Sequence, residues 1–103
     1  MLPLIDKHRE DIAELCRRFQ VRRLDVFGSA ARGDDFDPAR SDIDFIVEYQ
    51  SDNGAPSLQE FLSLRQGLRN LLGREIDLTA AGAIRNPYIR ADIDGSRKQV
   101  YAS

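Results

Sequence analysis

The stretch 26-VFGSAARGDDFDPARSDIDFIV-47 decides how the rest of the sequence is interpreted. It joins the apolar end of one predicted strand to a Gly-Ser turn, a short run of small residues and a polar loop. A second predicted strand follows, in which two aspartates alternate with apolar residues. A glycine turn followed by paired acids on a strand suggests an anion-binding turn beside a cation-binding pair.

The composition is that of an ordinary globular domain. The chain has 103 residues, 42% apolar and 31% charged, and we predict a single domain over residues 1–103. There is no apolar run of about 18 residues to span a membrane, no apolar secretory leader and only one cysteine, Cys16. These features predict a cytoplasmic protein with no internal disulfide and no membrane contact.

The charge argues against a general nucleic-acid binder, because the net charge is −2 and such proteins usually have a basic surface. No direct nucleic-acid binding is expected. One basic cluster, which we interpret mainly as a solvated helix end and strand start, consists of Arg17, Arg18, Arg22 and Arg23.

Periodicity, caps and glycines predict the remaining elements. Residues 4–19 are predicted to form one helix, and residues 21–27 a strand with Val21 on the face opposite Leu24 and Val26. Further elements are predicted at 29–32 (helix), 42–49 (strand), Ser57 to Gly73 (helix with both caps), 75–79 (strand), Asn86 to Gly95 (helix) and 97–101 (strand). The second long helix is expected to bury Leu58, Phe61, Leu62, Leu68, Leu71 and Leu72. The order indicates an α/β (α+β) fold, a small mixed sheet of three to four strands covered by helices.

The glycine turn has the properties of an anion site. Gly28 permits a tight turn and close approach by a ligand, and the amides that follow begin a helix and carry partial positive charge. Ser29 can add a hydroxyl. The sequence is not a P-loop, because Asp34 and Asp35 stand where that motif has Lys and Ser/Thr. Alone, the turn is also compatible with an ordinary strand-to-helix connection.

Three aspartates are candidate metal ligands. Asp42 and Asp44 share one face of a strand, with Cα atoms about 6.5–7 Å apart. Asp77 can join them if its strand lies alongside, and three carboxylates without histidine or thiol suit Mg²⁺. Glu75 is a weaker candidate. The loop acids Asp34, Asp35 and Asp37 and the helical pair Asp92 and Asp94 are interpreted as surface residues.

Together, GSAARG, the strand motif SDIDF and the later REIDLT resemble the minimal nucleotidyltransferase (MNT) branch of the DNA polymerase beta-like nucleotidyltransferase superfamily. The resemblance covers nearly the whole chain and implies that superfamily's fold. By position it implies that Gly28 and Ser29 bind the nucleoside triphosphate. It further implies that Asp42, Asp44 and Asp77 are catalytic and hold Mg²⁺, with Asp77 also helping to deprotonate the acceptor hydroxyl. Arg32 could contact phosphate or form a structural salt bridge.

The resemblance also implies a partner. Members of this branch occur as antitoxins beside HEPN-domain toxins, and some transfer AMP from ATP to a tyrosine of the toxin, so a hetero-complex or oligomer is expected. Two alternatives stay open: an antitoxin that neutralises its partner by binding alone, and a nucleotidyltransferase of a small hydroxylated molecule such as an aminoglycoside. The gap between Ser29 and Asp42 looks slightly longer than is usual in this branch, which could alter access to the site.

Overall fold

The structure is a computed structural model, and it describes residues 2–32, 42–50 and 57–103. Its elements follow one another as α1 (Pro3–Lys7), α2 (Arg9–Arg18), β1 (Val21–Phe27), α3 (Ser29–Arg32), β2 (Ile43–Tyr49), α4 (Leu58–Leu72), β3 (Ile76–Ala80), a 3-10 turn (Ala81–Ala83), α5 (Pro87–Ser96) and β4 (Lys98–Ala102). The predicted mixed α/β architecture is confirmed, including the short last strand. Within these residues, no helix has the length and apolar character that a membrane span requires.

The strands form one mixed sheet in the order β3-β2-β1-β4. β1 pairs antiparallel with both β2 and β4, whereas β2 and β3 run parallel. Parallel neighbours need a crossover connection, and α4 lies between β2 and β3 in the chain. Strand β2 therefore lies between the strand that leads into the glycine turn and the strand that carries Asp77.

The two faces of the sheet are packed differently. The main core brings α1, α2 and α4 onto one face, where Ile12, Phe45 and Leu64 are fully buried. The other face has a smaller cluster, in which Ile46 packs with Ile93 of α5 and with the 3-10 turn. The alternation predicted for β2 is confirmed, because Ile43, Phe45 and Val47 belong to the main core and Ile46 to the opposite cluster.

Helix α4 has the caps that the sequence predicts. The Ser57 hydroxyl accepts a hydrogen bond from the Glu60 amide at 3.1 Å, which satisfies one of the open amides of the first turn. At the other end Gly73 adopts a left-handed conformation with φ of 66°, and its amide donates to the Arg69 carbonyl.

The buried stripe of α4 differs from the prediction. Leu64, Leu68 and Leu72 face the core, whereas Leu58 and Leu62 are 73% and 47% exposed. Leu62 precedes Leu64 by two positions, or about 200° around a helix, so the two side chains cannot share one face. The prediction combined leucines from two sides of the helix.

The N-terminal prediction also needs correction, since residues 4–19 form two helices. The amide of His8 donates to the carbonyl of Ile5, and this tighter turn ends α1 before α2 begins at Arg9.

Strand β1 has the predicted bounds but not the predicted sidedness. Val21 is buried in the main core with Leu24 and Val26. The β1–β2 register shifts between Val21 and Arg23. Such an irregularity can place a side chain on the face opposite to the one that strict alternation predicts. Other boundaries differ by one residue, as in β3, β4 and the end of α5.

Candidate active site

The glycine turn joins β1 to α3. Gly28 has a φ of 71°, in the left-handed region that favours glycine. Its carbonyl accepts hydrogen bonds from the amides of Ala31 and Arg32, so the short helix is built directly on the turn. Ala30 and Ala31 are buried in the main core and anchor α3. The amides of Ser29 and Ala30 begin the helix, where backbone N–H groups have no carbonyl of their own helix to bond.

The acids lie on the next two strands. Asp44 is the second residue of β2, and Asp77, the second residue of β3, is its partner in the parallel register. Directly paired residues of parallel strands point to the same face, so these two carboxylates face each other. Asp42 immediately precedes β2. Asp44 is half-buried, while Asp42 and Asp77 are exposed.

The turn and the acids meet at Asp44. Across β1 and β2, Asp44 pairs with Phe27, the residue before the turn. A Cβ atom added to Gly28 would lie 3.1 Å from the Asp44 carboxylate oxygen Oδ2. Glycine is therefore favoured here by its backbone conformation, and a larger residue would also have to displace the Asp44 carboxylate slightly.

Within the part of the chain that the structure describes, the charges that act on Asp44 are those of two neighbouring acids. Burial raises the pKa of Asp44 to about 6, with further contributions from the charges of Asp77 and Asp42 and from a hydrogen bond with Asp77. Each cause disfavours the ionised carboxylate. A cation would reverse the penalty, because it would attract the charges that now repel one another.

A preassembled metal centre is not present in the described residues, where no three His, Cys, Asp or Glu side chains are grouped closely enough to hold an ion. Asp44 and Asp77 come together, and Asp42 acts on Asp44 through its charge. All donors here are carboxylate oxygens, which is the donor chemistry that Mg²⁺ prefers. The available groups fit that ion, with two of them already side by side.

Other acids and cations have separate positions. Glu75 forms an ion pair with Arg69 at 2.8 Å. Asp94, in α5, forms an ion pair with Arg97, the C-cap residue of the same helix. Arg32, the last residue of α3, is exposed. Asp34, Asp35 and Asp37 lie outside the described residues.

The sequence interpretation missed Asp25. This carboxylate is fully buried on β1 and is bonded by two arginines, Arg23 and Arg97, at 3.0 and 2.6 Å. Arg97 lies at the C-cap of α5, next to Ser96, whose hydroxyl accepts a hydrogen bond from the Gly28 amide at 3.0 Å. The available signal was an aspartate inside an otherwise apolar strand end, in LDVF.

Comparison with known proteins identifies the family. Residues 8–100 match the family model described as the nucleotidyltransferase domain. A Methanocaldococcus jannaschii protein, provisionally named a protein adenylyltransferase, is 34% identical over 88% of this chain and 85% of its own length. Protein adenylyltransferase MntA of Thermococcus cleftensis is 32% identical over 81% of this chain and 76% of its own.

Solved structures share the fold. One, described provisionally as a minimal nucleotidyltransferase, superposes with a TM-score of 0.73 at 28% identity, over 90% of this chain and 89% of that one.

Two more distant structures support the fold alone. A toxin–antitoxin structure with AMP-PNP has a TM-score of 0.71 at 21% identity, covering 92% and 73% of the two chains. A Shewanella oneidensis complex of a tri-AMPylated HEPN toxin with its MNT antitoxin has a TM-score of 0.67 at 18% identity, covering 96% and 73%. The family match over most of the sequence, with the minimal nucleotidyltransferase fold, shows that this chain belongs to the nucleotidyltransferase domain family.

Proposed function

We propose that this protein is a Mg²⁺-dependent adenylyltransferase that transfers AMP from ATP to a tyrosine hydroxyl of a HEPN-domain partner, and thereby acts as an antitoxin. The observation that carries the proposal is the position of Asp44. Its carboxylate lies 3.1 Å from where a Cβ of Gly28 would be, and it pairs with Asp77 on the next strand, so the proposed phosphate-binding turn adjoins an acidic pair. Relatives named protein adenylyltransferases support the choice of activity.

In the proposed reaction, the Gly28–Ser29 turn binds the triphosphate through the backbone amides that follow Gly28 and through the Ser29 hydroxyl. Asp42, Asp44 and Asp77 would hold Mg²⁺, which supplies charge neutralisation on the phosphates and activates the attacking hydroxyl. The acceptor oxygen attacks the α-phosphorus, the bond to the bridging oxygen of the β-phosphate breaks, and pyrophosphate leaves. Asp77, the more exposed of the paired acids, accepts the proton of the acceptor hydroxyl.

The proposal of a HEPN-domain partner is supported by the fold and by its similarity to a complex that contains a HEPN toxin. The described residues provide the triphosphate turn and the acids, and a partner protein would supply the tyrosine. Arg32, at the end of α3, would make a further contact with the phosphates.

The test is transfer of label from α-labelled ATP to the purified partner in the presence of Mg²⁺. Wild-type protein should label a tyrosine of the partner, and the Asp42→Asn, Asp44→Asn double variant should not. Equal labelling by the double variant would disprove the catalytic assignment. Asp92→Asn, which changes an exposed acid of α5, is the matched control and should label normally.

Two further measurements test the alternatives. If the Asp42→Asn, Asp44→Asn double variant still protects cells fully from the toxin, neutralisation is by binding alone. If wild-type protein labels small hydroxylated molecules and no protein, the acceptor is not a HEPN toxin.

A further inference from the structure

The Gly28 turn is bonded to the far end of the chain. The amide of Gly28 donates a hydrogen bond of 3.0 Å to the hydroxyl oxygen of Ser96, the last residue of α5. The Ser96 hydroxyl in turn donates to the carbonyl of Ile93 at 3.4 Å, which directs its lone pairs towards Gly28. The peptide that precedes the proposed triphosphate amides is thus oriented by a side chain 68 positions away.

The next residue holds Ser96 in place. The Arg97 side chain is 17% exposed, and its Nε donates to Asp25 at 2.6 Å while Nη1 donates to Asp94 at 3.0 Å. Asp25 is fully buried three residues before Gly28. Two neighbouring residues therefore hold this part of the chain. Ser96 bonds the turn at Gly28, and Arg97 bonds Asp25 of β1, just before the turn.

Packing restricts the same junction. Ile93, one turn before Ser96, is buried against Ile46 and the 3-10 turn, and the amide of Arg97 donates to the Ile93 carbonyl at 2.8 Å. The C-terminal end of α5 is consequently fixed by apolar packing, a helix hydrogen bond and a buried ion pair. A hydroxyl on such a rigid support can hold a backbone amide in one orientation.

We propose that Ser96 is a positioning residue for nucleotide binding, which holds the Gly28–Ser29 turn in the conformation that receives the triphosphate. This inference rests on the proposed function, since it assigns the triphosphate to that turn. Ser96 itself does not touch the nucleotide. Its loss should weaken triphosphate binding through a looser turn, and it should leave the acids unchanged.

The first experiment measures binding of AMP-PNP with Mg²⁺ by calorimetry. Loss of one neutral hydrogen bond predicts about 5–10-fold weaker binding by Ser96→Ala, with recovery in Ser96→Thr, which keeps the hydroxyl. Ser57→Ala is the matched control, because it removes a capping hydroxyl from α4 and should bind AMP-PNP as the wild type does. Equal affinity of Ser96→Ala and wild type would overturn the inference.

The second experiment does not use a nucleotide. In the unliganded protein, amide hydrogen exchange at Gly28 should accelerate about 5–10-fold in Ser96→Ala, while exchange at Val26 within β1 stays unchanged. Equal acceleration at both amides would indicate general destabilisation and would overturn the positioning role.

The outcomes also separate this inference from the proposed function. Wild-type protein that binds AMP-PNP but transfers no AMP would disprove the proposed reaction, and a binding defect in Ser96→Ala would still support the positioning role. Wild-type protein that binds no AMP-PNP would overturn both. Normal transfer with unaltered binding by Ser96→Ala would overturn the positioning role alone.

Discussion

Two aspartates on neighbouring strands have opposite surroundings. Asp25 of β1 is fully buried and bonded by Arg23 and Arg97. Asp44 of β2 is half-buried, and its charged neighbours are Asp42 and Asp77. Asp25 pairs with Ile46 across the sheet, so both aspartates lie on the face opposite the main core.

The difference distinguishes Asp25, a carboxylate bonded within the fold, from Asp44, a carboxylate proposed to bind metal. Around Asp25 the charges are compensated: although burial lowers the pKa of Arg97, its hydrogen bonds to Asp25 and Asp94 raise that pKa. Around Asp44, the charges that act from the described residues are those of two acids, and together with burial they raise its pKa to about 6. Such an acidic position is suited to receive a cation.

The largest expected effect comes from removing the compensated carboxylate. Asp25→Asn leaves two arginines without their shared buried partner and should lower the free energy of unfolding by about 3–5 kcal/mol, measured by urea denaturation. Asp92→Asn, at an exposed position of α5, should change it by less than about 0.5 kcal/mol. Similar small losses in both variants would mean that the Asp25 cluster does not stabilise the fold.

The uncompensated carboxylate should behave in the opposite way. At pH 7 without metal, Asp44→Asn should raise the free energy of unfolding by about 2 kcal/mol, because it removes a charge that burial and repulsion disfavour. This figure includes a reduction for solvent screening of the half-buried carboxylate. The same change should lower AMP transfer at least ~100-fold through loss of a metal ligand. Denaturation and transfer assays on one preparation measure both effects. A variant less stable than wild type would contradict the electrostatic account.

The pH dependence of the unfolding free energy tests the surroundings of Asp44 without an activity assay. The pKa of Asp44 is raised from 3.8 to about 6 in the folded protein, so the folded state keeps a proton that the unfolded state has lost between these values. Stability from this group is therefore greatest below pH ~4 and falls as the pH rises through 6. The full shift would correspond to about 3 kcal/mol, which solvent screening of this half-buried group reduces to about 2 kcal/mol. The difference in unfolding free energy between wild type and Asp44→Asn should follow that curve between pH 4 and 7, and Mg²⁺ should reduce it. A flat difference would show that Asp44 titrates normally.

The sequence predicts one of these two regions much better than the other. Gly28, Asp42 and Asp44 lie within one short motif, and the alternation of β2 fixes which way Asp44 points. Asp77 also follows from local pattern once β3 is placed beside β2. Their roles in metal and nucleotide binding stay predictions. Periodicity predicted the strand and the face of each aspartate, whereas the pairing of Asp44 with Asp77 is given by the structure.

The Asp25 cluster was not readable in that way. Its partner Arg97 is 72 positions away, and periodicity within a window carries no information about pairings across the sheet. Arg23 was interpreted as a solvated cation, yet it bonds Asp25 at 3.0 Å. The errors at Val21 and His8 have a related origin, because a register shift and a tight turn each break a regular pattern. The error at Leu62 differs, because the regular helical rotation itself places Leu62 away from Leu64.

The smallest effect tests the contact between the turn and Asp44. Gly28 and Gly73 both have positive φ, 71° and 66°, but an added Cβ meets Asp44 Oδ2 at 3.1 Å in the first case and nothing within 4 Å in the second. Each change to alanine should cost about 1–2 kcal/mol of stability for the left-handed backbone. Gly28→Ala should also displace the Asp44 carboxylate and lower AMP transfer about 10-fold, whereas Gly73→Ala should transfer normally.

A double-mutant cycle distinguishes displacement of Asp44 from a general distortion of the turn. In an Asp44→Ala background the carboxylate is absent, so the stability cost of Gly28→Ala should fall to that of Gly73→Ala. Both costs are measured by urea denaturation at pH 7. An unchanged excess cost at Gly28 would mean that the added methyl group strains the turn itself, and that Gly28 acts on the site through its backbone alone.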